Sequence, residues 1–256
     1  MGHIRLGTLS QSKKWREVVE LLDTSAAVGD IAEAAAKASE LDLKRASDDP
    51  NFQFVARLLV ELPLWARSPD FVECLNEIGI GANAINSTTG LLNAIEVAVD
   101  RHSFEHGHAS DAGELAKFAL LESLSTQFEA RLPSLFDPTS QEIRRALAGF
   151  SSGQQFAGLA RDFFARLTYR SLDYYLSREL ANHIGHDKRF NTDFERREFQ
   201  RALVLHTQEA SRIVEEFSGG WYGKTIWQKG DLSQEAINKF TRYAFKKMRD
   251  ELGRRA

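Results

Sequence analysis

The sequence predicts an all-α fold, an irregular multi-helix bundle of about nine helices that ends in a long antiparallel helix pair. Apolar residues recur at helical spacing along most of the 256 residues, and no strand-like alternation persists beyond a few residues. Helix-capping residues and prolines stand where the periodic segments begin. Because 43% of the residues are hydrophobic and 10% are aromatic, the chain can bury a substantial core.

Six helices are predicted in the first half of the chain. Start signals, in several cases an N-cap residue with a following proline or acidic residue, lie at Ser12, Asp30, Asp49, Ser68 and Asp111. The fifth of the six helices is predicted from about Thr88. Proline in a helix interior removes a backbone hydrogen bond and clashes with the preceding turn. We therefore expect the helix that starts after Asp49 to end at Pro63.

Two long helices are predicted in the C-terminal half. The first covers residues 153–184, and the second covers 192–217, from a capping box at Thr192 to a glycine pair at 219 and 220. Helices joined by so short a turn should lie antiparallel. A last helix that starts near Asp231 carries an apolar stripe with Phe240, and we expect it to dock on the long pair.

The chain divides into two predicted regions, although one continuous domain is the alternative. Residues 1–135 form an N-terminal helical region, and residues 136–256 form a C-terminal helical region built on the long pair.

Charge and cysteine content exclude several classes of protein. A net charge of −3, from 33 basic and 36 acidic residues, gives no overall attraction to nucleic acid or to an anionic membrane. A single cysteine, Cys74, excludes an intramolecular disulfide and suits a reducing cytoplasm. No apolar run approaches the roughly 20 residues of a membrane-spanning helix. We expect a cytoplasmic protein with no membrane partner.

Residues 218–230 are predicted as a loop that is the best candidate binding surface. Within it, Trp221, Tyr222 and Lys224 are the aromatic and cationic types that protein interfaces favour. The alternative is that the rings fill the gap between two helices. The stretch SGGWYGKT differs by one residue from a phosphate-binding loop, but that motif follows a strand, and a helix is predicted here.

Two helix faces combine cations with aromatic rings. The first long helix carries Arg170, Tyr174 and Arg178, and the last helix carries Arg242 and Lys246. Such faces can bind a partner, and rings between cations can stack on nucleic-acid bases. The alternative for the first face is a solvated surface.

The stretch His102–Ser–Phe–Glu105–His106 fits a short zinc-peptidase pattern. Two histidines four residues apart on a helix can share a metal ion, with a carboxylate beside them as general base. The pattern lies at the end of a predicted helix. A peptidase of this kind also needs a further acidic metal ligand, and no motif in the sequence identifies one. We predict neither a bound metal nor another cofactor.

The sequence favours a non-enzymatic helical interaction or adaptor protein of a bacterial-type cytoplasmic multi-protein assembly, with a protein as its partner. One alternative is a nucleic-acid-binding accessory factor that uses the basic C-terminal helix. Another is a metal-dependent hydrolase that uses His102, Glu105 and His106. The sequence defines neither the oligomeric state nor the identity of a partner.

Overall fold

The computed structural model describes residues 12–106, 108–132, 137–229 and 232–253, with the side chains of all of these except 42, 43 and 227–229. Within these ranges the fold is all-helical, as predicted. The described ranges contain twelve α-helices rather than about nine. They are α1 (Lys13–Asp23), α2 (Val28–Ala38), α3 (Glu40–Ala46), α4 (Pro50–Arg67), α5 (Phe71–Glu77), α6 (Thr88–Glu105), α7 (Asp111–Arg131), α8 (Ser140–Gly149), α9 (Gly153–Asn182), α10 (Asp193–Ala210), α11 (Arg212–Lys229) and α12 (Gln234–Leu252), and a 3-10 helix (Ala82–Asn86) precedes α6.

Several predicted helix starts are confirmed by side chains that cap the first turn. Ser12 accepts a hydrogen bond from the Trp15 N–H at 3.1 Å, and Asp49 accepts one from the Phe52 N–H at 2.9 Å. The prediction for α2 was wrong, because this helix begins at Val28 and Asp30 lies inside its first turn. An acidic residue there still stabilises the helix through the N-terminal dipole.

The predicted end at Pro63 was also wrong, because α4 continues through this proline to Arg67. An interior proline costs about 3 kcal/mol. Buried side chains on both sides of it, including Leu62 and Ala66, offset that cost. Arg144 also stabilises the end of α4, since its Nε donates to the Ala66 carbonyl at 2.9 Å.

The predicted antiparallel pair is matched in outline. In the C-terminal half of α9, Asp173 accepts a hydrogen bond from Gln200 of α10 at 2.9 Å. Nearer the start of α9, Arg161 pairs with Glu215 of α11 at 2.7 Å. From the first contact to the second, residue numbers fall along α9 and rise from α10 to α11. The helices α10 and α11 therefore run antiparallel to α9. The second helix, predicted as one, is interrupted at Ser211.

The predicted loop at 218–230 is not a loop where the structure describes it, because α11 runs through it. Gly219 does not end the helix; it allows α11 to approach the start of α9. A Cβ atom at this position would lie 2.8 Å from the carbonyl oxygen of Gly153. A helix therefore precedes and contains SGGWYGKT, which excludes the phosphate-loop geometry.

One hydrophobic core runs through both predicted regions. It includes Val18 of α1, Leu91 of α6 and Phe240 of α12. As predicted, α12 docks on the long pair, and it also packs against α2 and α4. The predicted boundary at 135 and 136 and the predicted start of the last helix at Asp231 lie outside the described residues. None of the helices in the described ranges has the length and apolar character needed to cross a membrane.

Candidate functional site

A pocket of ≈ 380 Å³ opens between α3 and α12. Its volume falls within the range of small-ligand sites in proteins. Two of the residues that the sequence predicts for binding, Arg242 and Lys246, are in its wall. The lining residues are Glu40, Lys44, Ser47, Asp48, Arg242, Phe245, Lys246 and Arg249. We call this site the α3–α12 pocket.

The α3–α12 pocket carries more positive than negative charge, because four of its side chains are cationic and two are anionic. Arg242 forms an ion pair with Asp48, and Arg249 forms one with Glu40. Lys44 and Lys246 are exposed and make no ion pair with a described side chain. These two lysines therefore keep their charge available for an anion that enters the pocket.

The apolar part of the pocket is held in place by the core. Phe245 contacts Phe52 with ring centroids 5.4 Å apart, and it meets Phe164 edge to face at 5.8 Å. A cavity of ≈ 20 Å³ behind it, lined by Met248 and Leu252 among others, extends toward α2 and α9. The site thus combines a cationic rim with a fixed aromatic wall, which suits a ligand that is both acidic and apolar.

The sequence predicts the α12 side of this pocket but not the α3 side. The spacing of Arg242, Lys246 and Arg249 puts all three on one face of a helix. Glu40 and Asp48, which oppose them, are about 200 residues away along the chain. With a single sequence, no local pattern connects such distant residues.

Of the aromatic residues predicted on the loop, Tyr222 is part of the core and Trp221 packs against it. Tyr222 is fully buried, stacks on Phe156 at 3.9 Å and donates its hydroxyl to the Val60 carbonyl at 3.2 Å. Burial raises the pKa of Tyr222 far above its usual range. Trp221 is half-buried and stacks on Phe240 at 4.1 Å. Lys224 is exposed and lies one helical turn from the half-buried Trp221, but the buried Tyr222 does not share a surface with them.

The predicted face on α9 lies at the seam between α9 and α7. Arg170 pairs with Glu122 and lies over the ring of Phe118. The Tyr174 hydroxyl donates to Asp111 at 2.6 Å, and Arg178 lies 5.5 Å from the centre of the Tyr174 ring. The contacts of Arg170 and Tyr174 tie the two helices together, so the face is not simply a solvated surface.

A second pocket of ≈ 380 Å³ lies beside this seam, between α7, α9 and α10. Two arginines and two acidic side chains line it, so its charges balance: Arg166, Arg170, Glu122 and Asp173. Arg166 is held by Asp162 at 2.9 Å and by Thr126 at 3.0 Å. Because both arginines already have acidic partners, this groove offers less to an anionic ligand than the α3–α12 pocket does.

The histidines of the zinc-peptidase pattern stack on each other. The ring of His102 lies between those of Phe54 and His106, at 4.2 Å and 3.9 Å. Burial, and then the charge of His106, lower the pKa of His102. Glu105 is exposed, and the described residues contain no group of three or more His, Cys, Asp or Glu side chains that could hold a metal ion.

No family model matches the chain, and comparisons with curated proteins and with solved structures find no match either.

Proposed function

We propose that this chain is a non-enzymatic interaction protein of a cytoplasmic multi-protein assembly, and that it binds an acidic segment of a protein partner in the α3–α12 pocket. The observation that carries the proposal is the pair of exposed lysines, Lys44 on α3 and Lys246 on α12, in a pocket that Phe245 also lines. A peptide that alternates carboxylates with apolar side chains can satisfy both kinds of surface at once.

The charge pattern of α12 favours a protein partner over a nucleic acid. Three of its cations already face carboxylates: Lys239 pairs with Glu235 at 2.6 Å, Arg242 pairs with Asp48, and Arg249 pairs with Glu40. A nucleic-acid backbone is bound by many free cations along an extended surface. Of the two other described cations of α12, Lys246 lines a concave site and Lys247 lies 5.5 Å from the centre of the Tyr243 ring, so they do not form an extended free surface.

A defined probe tests this function. The probe is a fluorescent peptide of alternating glutamate and leucine, and its binding is followed by anisotropy for the native chain, for Lys246→Glu and for Lys239→Glu. Lys239 is the matched control, because it is exposed on the same helix but does not line the pocket. We expect Lys246→Glu to weaken binding about tenfold or more, since it places a carboxylate in the pocket. Lys239→Glu should change it far less.

Two results would contradict the proposal. Equal losses in both variants would show that the peptide responds to overall charge rather than to the pocket. Tighter binding of a single-stranded oligonucleotide of equal charge, with a steep dependence on salt, would favour the nucleic-acid alternative.

A further inference from the structure

The outer face of α10 carries two large apolar side chains that are exposed to solvent. Phe194 is 66% exposed and Leu205 is 62% exposed. They are eleven residues apart, which is three turns of a helix, so they lie on the same side about 16 Å from each other. Glu198 and Arg201 lie between them, also exposed, and form an ion pair. We call these four residues the α10 stripe.

The order of residues in the α10 stripe is self-complementary. In an isologous contact, residue i of one copy faces residue j of the other, and j faces i. Consider two α10 helices that lie antiparallel, related by a two-fold axis that passes between Phe199 and Gln200. Phe194 then faces Leu205 of the second copy, and Glu198 faces Arg201 of the second copy. The same axis gives an apolar contact at each end and opposite charges in the middle.

The spacing of the stripe also fits helix packing. Residues 194, 198, 201 and 205 follow the alternating four-three-four separation of the contact positions in a coiled coil. Antiparallel helices with this spacing pack at a crossing angle near 20°. The opposite side of α10, with Phe199 and Leu203, is buried against the rest of the protein. The helix is therefore fixed from behind and presents the stripe outward.

We infer that the α10 stripe is a homodimer interface, and that its partner is a second copy of this chain. The inference is independent of the α3–α12 pocket, which α10 does not line. The contact is one pair of helices and is small for a protein interface, so the dimer forms in a concentration-dependent manner.

Charge reversal at the centre of the stripe gives a test that does not depend on folding. Glu198→Arg places arginine opposite Arg201 of the second copy, and Arg201→Glu places glutamate opposite Glu198 of the second copy. Each variant alone should associate at least about tenfold more weakly than the native chain. An equal mixture of the two should form a heterodimer, because one copy then presents two arginines and the other presents two glutamates.

Sedimentation equilibrium of the native chain, each variant and the mixture measures this association, with circular dichroism as the check on folding. Glu216→Arg is the matched control, since it reverses an exposed charge on α11 outside the stripe. A second pair of variants tests the apolar ends: Phe194→Ser should weaken the dimer, whereas Phe104→Ser should not, although Phe104 is 69% exposed on α6.

The expected result is a native dimer that the single reversals dissociate and that the mixture restores. A native chain that stays monomeric up to about 1 mM would overturn the inference. So would a dimer that persists in Glu198→Arg and Phe194→Ser, because its interface would then lie elsewhere.

Discussion

The aromatic segment of α11 and the cationic face of α12 carry the same kind of signal in the sequence but lie in different surroundings. The sequence predicts the first as a loop whose aromatic and cationic side chains suit a protein interface, and the second as a basic face that can bind a partner or a nucleic acid. In the structure, Trp221 and Tyr222 pack against the core, whereas Arg242 and Lys246 line an open pocket. Aromatic side chains serve cores and interfaces equally well. Unpaired charges are rarely buried, so a cluster of cations is the better indicator of an accessible surface.

The largest difference between the two regions should appear in stability. We expect Tyr222→Ala to lower the free energy of unfolding by about 3–5 kcal/mol, because it removes a fully buried ring and its hydrogen bond to Val60. Urea denaturation measures the change. Lys246→Ala, in the pocket, should stay within about 0.5 kcal/mol of the native value. A loss below about 1 kcal/mol for Tyr222→Ala would mean that this segment does not belong to the core.

A matched pair of glycines sharpens the comparison within α11. Gly219→Ala should destabilise the protein by about 1–3 kcal/mol, because the added carbon would lie 2.8 Å from the Gly153 carbonyl oxygen. The Cβ atom added by Gly220→Ala would have no neighbour within 4 Å, so this substitution should stabilise the helix by about 0.5–1 kcal/mol. Thermal melting compares the two. Equal effects would contradict the close approach of α11 and α9.

The ion pairs of the pocket should affect binding more than stability. Asp48→Asn removes the acidic partner of Arg242, and Glu40→Gln leaves Arg249 with Asp250 as its remaining acidic partner. Because the Arg242–Asp48 pair is exposed and the Arg249–Glu40 pair is only partly buried, each should contribute only about 0–1 kcal/mol to folding. Each change raises the positive charge of the pocket, so affinity for the glutamate–leucine peptide should increase. A decrease in affinity would show that Glu40 and Asp48 contact the peptide themselves.

The smallest effect concerns the pH dependence of stability at His102. Its pKa is lowered in the folded protein, so the folded state binds this proton less readily than the unfolded state does. The neutral His102 ring therefore makes its full contribution to the free energy of unfolding above its unfolded pKa of about 6.5. This contribution is lost as the pH falls below that value. Urea titrations at pH 7 and pH 5 should show a smaller acid-induced loss in His102→Phe than in the native chain.

His186→Phe serves as the control for this measurement, because the side chain of His186 is 92% exposed. The informative difference is one that appears in His102→Phe and not in His186→Phe. A loss that is identical in the native chain and in both variants would exclude His102 as a source of the pH dependence.

Local features of the fold were predictable, and features that depend on distant contacts were not. The capping roles of Ser12 and Asp49 and the docking of the last helix follow from short-range patterns. Gly219 was interpreted as a helix end because glycine is common there. Its packing partner, Gly153, is 66 residues away along the chain, so the sequence alone gives no sign of the contact.

The same limit applies to the candidate site. The cations of α12 were identified by helical spacing, but their placement in a pocket depends on α3. The carboxylates of Glu40 and Asp48 come from a short helix and the turn after it, which carry no motif of their own. The burial of Tyr222 depends likewise on the Val60 carbonyl of α4.

Hydrogen–deuterium exchange with and without the glutamate–leucine peptide compares the two regions directly. If the α3–α12 pocket is the binding surface, the peptide should slow exchange in α3 and in the second half of α12, around Arg242 and Lys246, and leave α11 unchanged. Slower exchange at Trp221 and Tyr222 without a change in α3 or α12 would contradict the account, because the aromatic segment would then be the binding surface.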